Sequence, residues 1–166
     1  MTIEIGPVIE VVVFTLAMAV LGALLAGDAL RTWFPALTRP WFQIPMPLFV
    51  GVGVLGYLFD VVILYRLLTV VHTADARIVC LAAMAVVMLY NELWNAALFR
   101  LRSPFAGFLL VLAFLAPVVV LEVALVVFEP ASAVLIGLYL VWVIAYDVPW
   151  TYRLWKLNPD PREVGA

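Results

Sequence analysis

Apolar runs about twenty residues long, broken by short segments that hold most of the prolines and charges, set the pattern of this chain. A helix needs roughly 20 apolar residues to cross the hydrocarbon of a bilayer. Runs of that length place spans at Val8–Ala26, Pro47–Leu68, Ile78–Phe99, Phe105–Phe128 and Ala131–Trp150. Pro47, Pro104 and Pro130 fall at or near span starts, where a missing backbone N–H costs nothing. Pro117 falls mid-span and predicts a kink in the fourth helix, while Pro149 predicts a bend or an end in the fifth. The linker Glu129-Pro130 is so short that the last two helices must form an antiparallel hairpin. The pattern is that of an all-α integral membrane protein, a five-transmembrane-helix bundle, with residues 1–166 as a single domain.

Composition agrees. Hydrophobic residues make up 67% of the chain and charged residues 12%, with a mean hydropathy of +1.19. Too little polar surface exists to cover a globule of this size, so lipid is the solvent for most of it. A net charge of −2 without a basic patch excludes nucleic acid as a partner. The single cysteine, Cys80, lies within an apolar run and cannot form an intrachain disulfide. Met1-Thr2-Ile3-Glu4 lacks the basic start of a secretory signal, and Arg is absent before Arg31, so no mitochondrial presequence is read.

Charge also orients the bundle. With five spans, Arg66 and Arg77 share the side of the N-terminus, while Arg31, Arg39, Arg100, Arg102, Arg153, Lys156 and Arg162 share the other. Basic residues favour the cytoplasmic face. The N-terminus is therefore expected outside and the C-terminus in the cytoplasm, most simply of a bacterial inner membrane.

The loop after the first span, Trp33-Phe34-Pro35-Ala36-Leu37-Thr38-Arg39-Pro40-Trp41-Phe42-Gln43-Ile44-Pro45, is stiffened by its prolines and dense in rings. Such rings either anchor at a membrane–water boundary or close over a cavity mouth. In the fifth span Tyr139, Trp142, Tyr146 and Trp150 recur every three or four residues and so share a helix face. That stripe is either a packing seam or one wall of a pocket for a flat ligand. Asn91, Trp94 and Asn95 share a face of the third span, with Glu92 beside them. An amide in hydrocarbon needs a partner, so this face turns inward, as interhelical glue or as part of a pocket. Gly53, Gly56 and Asp60 share a face of the second span, which signals either close helix approach or extra room.

Four acids, Asp60, Glu92, Glu122 and Asp147, sit within spans with no Lys or Arg at comparable depth. Each charge near mid-bilayer costs at least about 2.5–3.5 kcal/mol, so some are expected to be protonated or hydrogen-bonded to Asn, Tyr or Trp donors. They mark a polar pocket, centred on Asp60 and Glu92, for a cationic or proton-linked ligand, or a contact with a basic partner helix; membrane-edge placement suits Asp147 better than Asp60. Val148, Tyr152 and Lys156 satisfy a weak proposed cholesterol-contact pattern. His72 reads as a solvated loop residue, and no Cys/His cluster, phosphate loop or nucleophile–base pair supports metal or nucleotide chemistry.

With the spans in place, the chain resembles the TspO/MBR family, the translocator or tryptophan-rich sensory proteins also called peripheral-type benzodiazepine receptors. The segments that carry the resemblance are Gly22-Ala23-Leu24-Leu25, the loop from Trp33 to Pro45, Phe49 with Leu55-Gly56-Tyr57, Asn91 with Trp94 and Phe99, Tyr139 to Trp142, and Tyr152 with Trp155, Lys156 and Asn158. The chain departs from the family at Gly53, where a tryptophan is usual, at Ile44 and Leu138, where prolines are, and by one extra residue between Trp142 and Tyr152. It is therefore similar to a divergent member. The resemblance implies a pocket beneath the first loop, with Trp142 and Asn91 among its lining, and ligand contacts from Trp41, Phe42, Pro45, Tyr57, Trp94, Tyr139 and Tyr146. It implies binding and transport or sensing of tetrapyrroles (porphyrin, haem precursors) or sterols, no required cofactor, lipid as surroundings, and a homodimer, for which Ala82, Ala83 and Ala85 permit close approach. Two alternatives stand beside it. One is a membrane enzyme, either a light-driven porphyrin-degrading one, disfavoured by Gly53, or an isomerase using Asp60 and Glu92. The other is a structural subunit docking on another membrane complex.

Overall fold

The computed structural model describes residues 4–159 and consists of α1 (Ile5–Ala26), α2 (Met46–Thr69), α3 (Ala74–Arg100), α4 (Pro104–Phe128) and α5 (Pro130–Leu157). All five helices are long and apolar enough to cross a membrane, and no strand forms among the described residues. Met1–Ile3 and Arg162, used above in reading the N-terminus and the charge asymmetry, lie outside the described residues.

Helix ends follow local chemistry. Gly27 closes α1 at φ +58°, a left-handed conformation that glycine adopts without steric cost. Ser103 caps α4 by accepting from Ala106 N–H at 3.2 Å, with Pro104 in the first turn. Glu129 alone links α4 to α5 and caps α5 through Ser132 N–H at 2.7 Å. The same carboxylate takes both Arg66 Nη2, at 2.6 Å, and Arg66 Nε, at 3.2 Å, so one residue ties the α4–α5 hairpin to the end of α2. Glu129 is 4% exposed, and the Arg66 guanidinium holds its carboxyl below the ordinary carboxylate range.

One expectation about proline needs correction. Pro117 lies inside α4, which runs through it as one helix, but α5 does not end at Pro149 and passes it to reach Leu157. The reason in α5 is a π turn at Val143–Asp147, where Val148 N–H bonds to Val143 O, five residues back. Pro149 then falls in the first turn of the segment that follows, where its missing N–H is not needed. A π turn holds one residue more than an α turn, which accommodates the surplus residue between Trp142 and Tyr152. A second π turn, Ala96–Arg100, closes α3.

The interior has two parts. One is an apolar core along the bundle, including Ile63, Leu67, Met84, Met88, Val118, Leu121, Leu125 and Val143, all at most 2% exposed. The other is aromatic: Trp33, Phe34 and Leu37 of the first loop pack with Leu98, Phe99, Trp150 and Leu154. Phe34 meets Phe99 edge-on with centroids 5.6 Å apart and Trp150 at 6.1 Å. The loop is thus seated into one end of the bundle rather than lying along its rim. Asn158 fastens it there, accepting from Thr38 N–H at 2.9 Å and donating to Thr38 O at 2.9 Å.

Candidate functional site

A cavity of ≈ 380 Å³ lies between the five helices, its lining drawn from both parts of the interior. That is within the roughly 300–1,000 Å³ usual for small-molecule sites. α1 supplies small residues (Ala19, Gly22, Ala23, Ala26), and α2 supplies Phe49 through Asp60. α3 supplies Val87, Met88, Asn91, Trp94, Asn95 and Phe99; α4 supplies Val111 and Phe114; α5 supplies Ile136, Tyr139, Trp142 and Asp147. Val50, Gly53 and Val54 line the cavity and are also exposed, so α2 forms its open side.

Room, not close packing, explains the α2 glycines. A Cβ built at Gly53 or at Gly56 would meet nothing within 4 Å. The space that a family tryptophan would occupy at position 53 is part of the cavity.

Gly22 is the opposite case. A Cβ there would overlap Glu92 Oε2 and lie 2.9 Å from Glu92 Cδ and 3.1 Å from Asn95 Nδ2. Glycine lets α1 close over a carboxyl group that is 0% exposed. Glu92 accepts from the Tyr57 hydroxyl at 2.7 Å and from Asn95 Nδ2 at 3.1 Å, which joins α2 and α3 behind the cavity wall. A second set of bonds orders α5. The Tyr139 hydroxyl donates to Asn91 Oδ1 at 3.4 Å, and Trp142 Nε1 donates to Asp147 Oδ1 at 3.1 Å. The latter spans five residues, which are neighbours because the π turn lies between them.

The structure brings together Tyr57, Asp60, Asn91, Trp94, Tyr139 and Trp142 as cavity lining. Others named from the sequence lie elsewhere. Trp41 is 94% exposed, because Trp33 and Phe34, not Trp41, fill the loop's seat. Phe42 packs edge-on against Trp41 and Tyr146, and Pro45 is exposed at the start of α2. Tyr146 stacks on Trp142 with centroids 4.6 Å apart and accepts from Ile44 N–H at 3.1 Å, which makes it a strut between α5 and the loop. Glu92 stands behind the lining, reached through Tyr57 and Asn95. The fifth-helix stripe therefore divides: Tyr139 and Trp142 face the cavity, while Trp150 is 0% exposed in the aromatic cluster and donates to Gln43 Oε1 at 3.0 Å.

Among the sterol-pattern residues, Val148 is half-buried, Tyr152 is exposed against Phe108, and the Lys156 ammonium sits 4.1 Å over the Trp155 ring. Glu122 lies apart from the cavity, its Oε1 facing Gly137 of α5. Phe114, Met88 and Gly22 belong to the site but carry no sequence signal that marks them as lining, while Asp147, which the sequence suited to the membrane edge, lines the cavity. The buried indole N–H of Trp94 has no hydrogen-bond partner among the described residues. No group of three His, Cys, Asp or Glu able to hold a metal occurs among the described residues.

No curated protein sequence matches the chain. The model of the TspO/MBR family matches residues 11–155 of 166. That match covers all but the ends of the bundle, including every cavity-lining residue, and the chain belongs to the TspO/MBR family.

Proposed function

We propose that the protein binds flat hydrophobic molecules in this cavity and transports or senses them within the membrane, tetrapyrroles or sterols being the class that family resemblance implies. The observation that carries this reading is a bundle cavity with ring and amide side chains converging on it: Phe49, Trp94, Tyr139 and Trp142 with Asn91. Rings offer faces for stacking, and a few fixed polar groups orient the ligand's edge. The open side at Val50, Gly53 and Val54 of α2 would admit such a ligand from lipid.

The test is to mix the purified protein with protoporphyrin and record absorption in the dark and under light. A shifted, stable spectrum supports binding; loss of the bands under light that requires the protein indicates a degrading enzyme; an unshifted spectrum counts against tetrapyrroles. The orientation with the C-terminus in the cytoplasm belongs to the same proposal, and a reporter fused after Asn158 that reads as external overturns it. A homodimer is also part of the proposal, with the exposed α3 residues Ile78, Ala82, Val86 and Leu93 as a suitable face. Mass measurement in nanodiscs that finds only monomer removes it.

A further inference from the structure

We infer that the cavity selects flat hydrophobic ligands that carry a protonated amine, held by Asp60 of α2. This rests on the proposed reading of the cavity as the ligand site and narrows the class of ligand. Asp60 and Asp147 both line the cavity, and no Lys, Arg or His does. Glu92, the third acid nearby, has both oxygens engaged by Tyr57 and Asn95. Asp60 is half-buried, and among the described residues none donates a hydrogen bond to it. Asp147, whose Oδ1 accepts from Trp142, adds a second negative group elsewhere on the lining. Tyr139 lies within electrostatic reach of Asp60.

An ionised carboxylate at this depth needs a compensating partner, and no described residue supplies one to Asp60. An ammonium group is the partner that fits. It donates up to three hydrogen bonds, compensates the negative charge, and is of the kind that ring faces, which the cavity lining offers, attract through their quadrupoles. A ligand carboxylate at the same place would face like charges with no basic residue to receive it. The cavity therefore favours an amine-bearing flat molecule over a carboxylate-bearing one with the same ring system.

The experiment uses the full chain in phosphatidylcholine nanodiscs and three probes with one ring system: 1-pyrenemethylammonium, 1-pyrenemethanol and 1-pyrenecarboxylate. Binding is read by tryptophan quenching, with partition into protein-free nanodiscs subtracted. The ammonium probe should bind about tenfold or more tighter than the alcohol, as charge-assisted hydrogen bonds warrant, and the carboxylate more weakly than the alcohol. The ammonium-to-alcohol ratio should collapse toward one in Asp60→Asn, and in Asp60→Ser should Asp60→Asn fail to fold. Equal or better binding of the carboxylate overturns the inference while leaving the cavity a ligand site, as does an unchanged ratio in both variants. Failure of all three probes to bind removes the site itself and this inference with it.

Discussion

Replacing Gly22 by alanine adds one methyl group at the place where α1 and α3 meet most tightly around the site. In an ordinary helix interior that change stabilises by about 0.5–1 kcal/mol. Here the new Cβ would overlap Glu92 Oε2 and crowd Asn95 Nδ2 at 3.1 Å. Glu92 is 0% exposed, so it cannot swing into solvent, and moving it breaks the bonds from Tyr57 and Asn95. Each buried polar group left without its bond costs about 1–3 kcal/mol, so losing both costs roughly 2–6 kcal/mol. After the helix-propensity gain the net loss is about 1–5 kcal/mol. The assay is a denaturation curve in mild detergent followed by tryptophan fluorescence, for Gly22→Ala, Glu92→Ala and the double variant. Because Glu92→Ala removes the atoms that clash, the second substitution should cost almost nothing on top of the first. Additive losses, or a Gly22→Ala protein as stable as wild type, would falsify the contact and the network built on it.

Gly53→Trp should fold normally, since nothing lies within 4 Å of its Cβ; a Trp side chain buries roughly 150–250 Å², so affinity for protoporphyrin should drop about tenfold or more. Unchanged affinity would mean that the ligand does not enter the cavity. Trp142→Ala should weaken binding several-fold, as a stacked ring is worth about 0.5–1.5 kcal/mol beyond its area; Trp155→Ala, whose ring stacks on Phe108 outside the cavity, should not, and equal effects would reduce Trp142 to packing. Because the folded carboxyl of Glu129 is held below its unfolded value, near 4.3, by Arg66, its stabilisation is present above that value and fades as pH falls through the folded one. Glu129→Gln should flatten the acid limb of melting temperature against pH and cost about 1–3 kcal/mol at pH 7, between exposed and buried pairs; an acid limb as steep as wild type would rule the pair out as its source.

The helices were legible because bilayer thickness fixes their length, and prolines at 47, 104 and 130 mark starts. Which way each ring points was not. When lipid lies outside and apolar side chains inside, hydrophobicity no longer distinguishes the two faces of a helix, so Trp142 and Trp150 read alike although the first lines the cavity and the second is packed in the aromatic cluster. Polar residues carried more information: Asp60, Asn91 and Asn95 all line the cavity. The pairing of Arg66 with Glu129 joins residues far apart in sequence, and the contact of Gly22 with Glu92 depends on helix approach, which no local pattern encodes. Gly53 was ambiguous for the same reason until its surroundings were seen.

The π turn in α5 makes that helix a two-register rod. Residues before Val143 are phased to the cavity and residues after Asp147 to the seat of the first loop, with the wide turn setting the offset between them. One residue more or fewer rotates everything beyond it by about 100° in an α-helix. The wide turn absorbs one residue, so deleting a single exposed residue such as Ile144 would convert it to an α turn and keep Trp142 at the cavity and Trp150 at Phe34, whereas deleting both Ile144 and Ala145 would leave a regular helix that cannot serve both. Cavity and loop seat are coupled by counting along the backbone rather than by any bond, and a change beyond the one residue that the wide turn absorbs would uncouple them while leaving the side chains that form either one unchanged.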